Sequence, residues 1–302
     1  MRARDGAALM AALTCSVVVS AASAESTRTT GALRVVAAEN MWGSIAAQLG
    51  GNRVQVTSVI TNPATDPHDY EPTAVDARTL AGAQMVIENG IGYDSWASKL
   101  VAANPVSGRV VLDVGDLLGI KAGGNPHRWY SPTDVQRVIR AIVADYTKLD
   151  PRDAGYFRQM RAHFETVGLA RYKQLIATIE RRYHGVPVGA SESIFAPLAQ
   201  ALGLQLVTPS SFLKAISEGT EPTVADTTTI GRQIARRQIE VWVYNSQNST
   251  PDVARFTAAA RKEGIPVTTI TETLSPASAT FQSWQVAQLR ALAAALHAAT
   301  GR

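Results

Sequence analysis

Cysteine is nearly missing from this chain: its 302 residues hold a single one, Cys15. No internal disulfide can form, and no thiolate pair is on offer to a soft metal, so packing alone must supply stability. Aromatic residues make up 6% and charged residues 18%. Beyond the first residues no apolar run approaches the length of a membrane span. There is no Gly-x-Ser-x-Gly elbow, no Walker loop and no dinucleotide fingerprint, which removes the commonest hydrolase, nucleotidase and dehydrogenase readings. Lysine and arginine total 29 against 25 acids, a net charge of +4. They are scattered rather than interleaved with aromatics, so nucleic acid is not an expected partner. Histidine is scarce too, with five in all.

What is present is a soluble globular balance, 46% hydrophobic, long enough for two domains. Residues 1–24 read as a signal peptide: Arg2 and Arg4 lead, an apolar stretch runs from Gly6 to Ser20, and Ala22-Ser23-Ala24 predicts cleavage after Ala24. Cys15 lies inside that segment, and Ala12-Leu13-Thr14 before it does not fit a lipobox. The expected product is therefore an unanchored, periplasmic monomer.

The mature chain repeats itself. Glu39 to Gly50 aligns without gaps on Glu192 to Gly203, each copy following one short β-type run and preceding another. Glu71-Pro72-Thr73 returns as Glu221-Pro222-Thr223, and each leads to an apolar strand, Met85 to Asn89 and Val241 to Asn245. Alternating strands and helices predict parallel sheets with right-handed crossovers, hence two similar α/β lobes. Between them, Asp153 to Tyr183 has no proline, and Phe157, Met160, Phe164, Val167, Leu175, Ile176, Ile179 and Tyr183 recur at helical spacing. One helix of that length would measure about 45 Å, with Gly168 as the expected bend. The expected divisions are an N-terminal lobe at 25–151, a linking helix at 152–183 and a C-terminal lobe at 184–302.

Two of the histidines sit in matching prolyl turns, Asp66-Pro67-His68-Asp69-Tyr70-Glu71-Pro72 and Asn125-Pro126-His127-Arg128-Trp129-Tyr130-Ser131-Pro132. Proline fixes its own φ and restricts its predecessor, so such turns are stiff and hold an imidazole in place. His68, Glu192 and Glu272 each follow a β-type run, and parallel sheets present ligands at that end of their strands. His127 follows Val110-Val111-Leu112 and a glycine-rich loop. If the lobes face one another, His68, His127, Glu192 and Glu272 converge in the cleft. Two imidazoles and two carboxylates suit zinc, manganese or ferrous iron, whereas calcium and magnesium take oxygen-only sites. His163, His184 and His297 are read as structural. Four functions stay open on the residues alone: a receptor for the ion, an exported metal-dependent hydrolase, a receptor for a metal chelate or another small solute, and an interaction or adhesion protein with an incidental metal.

Over essentially the whole mature chain the sequence resembles the periplasmic solute-binding proteins of metal-ion ABC transporters, the zinc and manganese group. The two histidine loops match that family's first and second ligand segments, with Arg128 where an apolar residue is usual. Ser191-Glu192-Ser193-Ile194-Phe195 resembles the third, and Thr271-Glu272-Thr273-Leu274 the fourth, with glutamate in place of the usual aspartate. The resemblance implies two α/β lobes joined by one long helix, no catalysis, and delivery of the ion to an ABC-type membrane permease. Glu192 in place of a third histidine, and the lack of a histidine-rich acidic loop, lean toward manganese or mixed specificity; general divalent affinities favour zinc.

Overall fold

The structure, a computed structural model, describes residues 31–65 and 70–302. The expected signal peptide and the segment Asp66–Asp69, with His68, lie outside the described residues. The first half runs β1 (Leu33–Glu39), α1 (Asn40–Gly50), β2 (Val54–Ile60), α2 (Ala74–Ala81), β3 (Met85–Glu88), α3 (Ser95–Ala103), β4 (Val110–Asp113), α4 (Val114–Leu118) and α5 (Pro132–Leu149). Helices α6 (Ala154–His163) and α7 (Ala170–Tyr183) then lead to the second half. It comprises β5 (Pro187–Ala190), α8 (Ala196–Ala201), β6 (Gln205–Leu206), α9 (Ser210–Ser217), α10 (Val224–Ala235), β7 (Val241–Asn245), α11 (Pro251–Lys262), β8 (Val267–Ile270) and α12 (Phe281–Thr300).

Each half builds one four-stranded parallel sheet, ordered β2-β1-β3-β4 and β6-β5-β7-β8. The two orders are the same, which is the structural content of the sequence repeat. Strand β3 is buried at all four positions, as a strand covered on both faces must be. In both sheets the order reverses direction between the first and third strands, β1 and β3 or β5 and β7. A crevice opens there at the strands' carboxyl ends.

The repeated Glu-Pro-Thr is a helix-start device. Thr73 Oγ1 accepts from Asp76 N at 3.3 Å while Asp76 Oδ2 accepts from Thr73 N at 2.7 Å, and Thr223 Oγ1 accepts from Asp226 N at 3.1 Å. The prolines stand one residue ahead of these capping threonines rather than inside the helix, and the reciprocal bonds satisfy donors that the first turn leaves open.

The segment expected as one helix is helical through both α6 and α7, with a π turn at Phe164–Gly168 between them. Leu169 N donates to Phe164 O at 2.8 Å, the wider bond of that turn. Phe157, Phe164, Tyr172, Leu175, Ile179 and Tyr183 are buried, whereas Val167, expected on the same face, lies in the π turn and is exposed. The partners of the buried ones come from both halves. One apolar cluster extends from Val35 and Met85 through Phe157 and Tyr172 to Val188 and Val241, and includes Phe281, Trp284 and Leu289 of α12. Helix α12 also reaches back to α1: Phe281 N donates to Ser44 Oγ at 2.9 Å, and Gln48 Nε2 donates to Gln282 Oε1 at 3.1 Å. The halves are thus joined by shared packing as well as by the helical connection.

Gly90 shows how tightly the crevice loops are drawn. Its φ is +68°, and a Cβ there would lie 2.2 Å from Asp113 Oδ1. Its N–H donates to Asp94 Oδ1 at 2.8 Å while Asn89 N donates to Asp94 Oδ2 at 2.6 Å. Gly90→Ala is expected to cost about 1–3 kcal/mol, from left-handed backbone strain plus the clash. Urea denaturation checks this; an unchanged midpoint would mean that the turn relaxes freely.

Candidate metal centre

Three of the sequence-predicted residues meet. His127 Nε2 lies 3.6 Å from Glu192 Oε1 and 3.4 Å from Glu272 Oε2. The three donor atoms all fall within 4.8 Å of one another, and all three residues are buried. Bonds of about 2.0–2.1 Å in a tetrahedral zinc site put neighbouring donors roughly 3.3 Å apart. The imidazole-to-carboxylate spacings already match that geometry. His68, the remaining candidate, belongs to Asp66–Asp69, outside the described residues.

Each donor is placed by its element and by neighbours that the sequence reading did not single out. Glu192 follows β5 at the sheet's reversal point, with β/extended backbone, and Asn245 ends β7 across the same crevice. Asn245 Nδ2 donates to Glu192 Oε2 at 2.9 Å and to Glu272 Oε1 at 2.7 Å. From the other half, Tyr93 Oη donates to Glu272 Oε2 at 2.8 Å. The His127 loop is fixed by Asn125, whose Oδ1 accepts from His127 N at 3.0 Å and sits 2.9 Å from Nδ1. With Nδ1 engaged as donor, Nε2 is the nitrogen left with a lone pair to offer, the usual arrangement for a ligating imidazole. Asn125 Nδ2 also donates to Ser193 O at 2.7 Å, tying the loop to the residue beside Glu192. Asn89, which follows β3 as Asn245 ends β7, donates from Nδ2 to Pro126 O at 3.0 Å and accepts from Trp42 Nε1 at 3.0 Å. The two asparagines were present in the repeated strands; their shared position was the signal that could have found them.

Trp42 and Trp129 are wholly buried core residues, Trp129 packing edge-on to His127 with ring centroids 5.3 Å apart. Tyr70 hydrogen-bonds Asp76 from Oη at 2.9 Å, and Glu71 is exposed. Arg128, the unusual residue in its loop, donates from Nε to Asp134 Oδ2 at 2.9 Å in the first turn of α5.

Burial raises the Glu192 carboxyl to about 8; the Glu272 carboxylate adds to that rise, and His127 and Asn245 work against it. Without a cation, two carboxylates this close and this dry share a proton rather than carry two charges. A second set of acids lies in the first half. Burial holds Glu39 well above the usual carboxylate range, Asp94 at about 6 and Glu88 at about 7. Glu39 ends β1 where Glu192 follows β5, and among the described residues the acids that act on it are Asp94 and Glu88.

No helix among the described residues is long and apolar enough to cross a membrane. A cavity of about 360 Å³ borders the centre along Tyr93, Asn125 and Ser193.

The family described as zinc-uptake complex component A, periplasmic, matches residues 35–295. The iron-binding protein YfeA of Yersinia pestis is 30% identical over 186 residues, 58% of this chain and 58% of its own length. The manganese ABC transporter substrate-binding lipoprotein PsaA of Streptococcus pneumoniae serotype 4 is 22% identical over 266 residues, 82% of this chain and 83% of its own. Among solved structures, the Mn-bound periplasmic metal binding protein of Candidatus Liberibacter asiaticus superposes with a TM-score of 0.70 at 19% identity, covering 87% of this chain and 99% of that one. The two-sheet architecture is theirs as well, and with 35–295 of its 302 residues matched the chain belongs to the family of the periplasmic component A of zinc-uptake complexes.

Proposed function

We propose that the protein is the extracytoplasmic receptor of a metal-ion ABC importer: it captures one divalent transition ion, zinc or manganese, and hands it to a membrane permease. The observation that carries this reading is the buried convergence of His127, Glu192 and Glu272 at 3.4–3.6 Å. Ferrous iron also suits this donor set. The relatives' names point the same way, with iron, manganese and zinc among them.

His68 is proposed as the fourth ligand. Five residues before it in the chain, the carbonyl of Pro63 accepts from Gln247 Nε2, and Gln247 also binds Thr273, beside Glu272, with Nε2 to Oγ1 at 2.8 Å. Two carboxylates and two neutral imidazoles around a divalent ion leave no net charge to bury, which lowers the cost of enclosing it. Four protein ligands leave no open position for a reactive water, unlike hydrolytic zinc sites. Members of this family are substrate-binding proteins and not enzymes. The near-complete burial of the donors also favours a bare ion over a bulky chelate. Residues 1–24 are proposed to direct export to the periplasm.

The test strips the purified mature protein of metal and titrates zinc and manganese in competition, with elemental analysis of the product. One ion bound per chain, accompanied by a rise in melting temperature, is expected, since a ligand selective for the native state stabilises it. No rise with either ion would overturn the receptor reading.

A further inference from the structure

We propose that Asn245 sets the metal preference of the centre, by restricting Glu192 and Glu272 to one coordinating oxygen each and so favouring a four-coordinate ion of the zinc type. The inference rests on the receptor reading and deepens it. One side-chain amide nitrogen bridges both acids, taking Glu192 Oε2 at 2.9 Å and Glu272 Oε1 at 2.7 Å. The other two, Glu192 Oε1 and Glu272 Oε2, face His127 Nε2, and Glu272 Oε2 also accepts from Tyr93 Oη at 2.8 Å. Each carboxylate is therefore divided, one oxygen toward the amide and one toward the imidazole.

The amide cannot turn over to release them. Gln247 N donates to Asn245 Oδ1 at 3.0 Å, and a backbone N–H has no acceptor role, so the oxygen must face it and the nitrogen must face the acids. The backbone is pinned as well, with Asn245 N donating to Ser191 Oγ at 3.0 Å next to Glu192. Residue 245 is fully buried, so water does not compete for these bonds.

Coordination number is where this matters. Zinc is satisfied by four ligands in a tetrahedron, whereas harder ions such as manganese favour oxygen ligands and octahedral sites. The four candidate residues reach six bonds only if both glutamates bind through both oxygens. Asn245 holds back the second oxygen of each. Asn245 is thus a positioning residue that acts through the ligands rather than touching the ion.

Asn245→Leu keeps the branched shape and removes the donor; Asn245→Ala removes the donor with no added bulk. Each is stripped of metal and compared with the unsubstituted protein by zinc–manganese competition and by the visible spectrum with Co(II). The unsubstituted protein is expected to give the intense absorption of four-coordinate Co(II). In both variants that absorption should weaken toward the faint bands of higher coordination, and the preference for zinc over manganese should fall about 10–100-fold, the scale of losing a ligand's supporting partner. A merely structural role would weaken both ions alike and leave the Co(II) spectrum of the bound fraction unchanged; that result in whichever variant folds overturns the proposal. Failure of the unsubstituted protein to bind any of the three ions overturns the receptor reading and this one with it.

Discussion

His127→Ala is expected to cut the stabilisation that zinc or manganese gives the unsubstituted protein, read as a rise in melting temperature, to about a tenth to a third. Four ligands sharing a binding free energy of roughly 10–16 kcal/mol contribute about 2.5–4 kcal/mol each, so losing one weakens binding by roughly 10²–10³-fold. Metal at about 1,000 times the native dissociation constant stabilises the native protein by about 4 kcal/mol. The same concentration is then only about 1–10 times the variant's constant, and the stabilisation drops to roughly 0.4–1.4 kcal/mol. The imidazole also packs against Trp129 and Tyr93, with centroids 5.3 and 6.1 Å away. The stripped variant is therefore expected to melt lower than the stripped parent, and the comparison that matters is the metal-induced shift within each protein. Calorimetric scans with and without metal supply it. A full shift in His127→Ala would remove His127 from the ligand set.

Glu192→Gln is expected to do something unusual for a buried-site substitution: stabilise the stripped protein while destroying tight binding. The carboxyl titrates at about 8 in the fold, well above its ordinary value, because it is buried beside Glu272. Above that pH a second negative charge is forced into a dry site. Glutamine keeps the acceptor for Asn245 Nδ2 and places an N–H toward Glu272 without the charge. At pH 8–9 the stripped variant should melt higher, by roughly 2–4 °C per kcal/mol of relieved repulsion. Binding should weaken by about the same 10²–10³-fold as for a lost ligand.

The sign of the pH dependence follows. A carboxyl whose folded pKa is raised binds its proton more tightly in the native state, so stability is fullest below the unfolded value and is lost as pH climbs toward 8. Metal binding must displace that proton, so affinity should rise over the same range in which the stripped protein weakens. Glu39, Glu88 and Asp94 contribute the same sign to stability with or without metal; the difference between loaded and stripped protein isolates the Glu192 contribution. Melting temperatures from pH 5 to 9 test this. A stripped protein whose stability rises with pH would mean that Glu192 is ionised throughout.

Much of the architecture was legible because it is periodic or local. The Leu-Gly ends, the Glu-Pro-Thr starts and the apolar strands recur in both halves, and each recurrence is a helix terminus, a cap or a buried strand whose chemistry is complete within a few residues. The order of the two sheets follows from the same repeat. What stayed hidden was the shared core: the apolar stripes of α7 and α12 announce that they are buried, but not that one cluster serves both halves. A stripe carries no address for its partner.

The residues around the centre divide along the same line. Sequence by itself marked the candidate donors, since a histidine in a prolyl turn or an acid following a short strand is a property of a few consecutive positions. Only the tertiary structure decided that Asn125, Asn89, Tyr93 and Asn245 hold those donors, because each acts across 2 to 179 positions of chain on an atom that no local pattern identifies. Asparagine is common in turns for its own backbone's sake, so its type says little until a carboxylate 27 residues later is seen to share its amide.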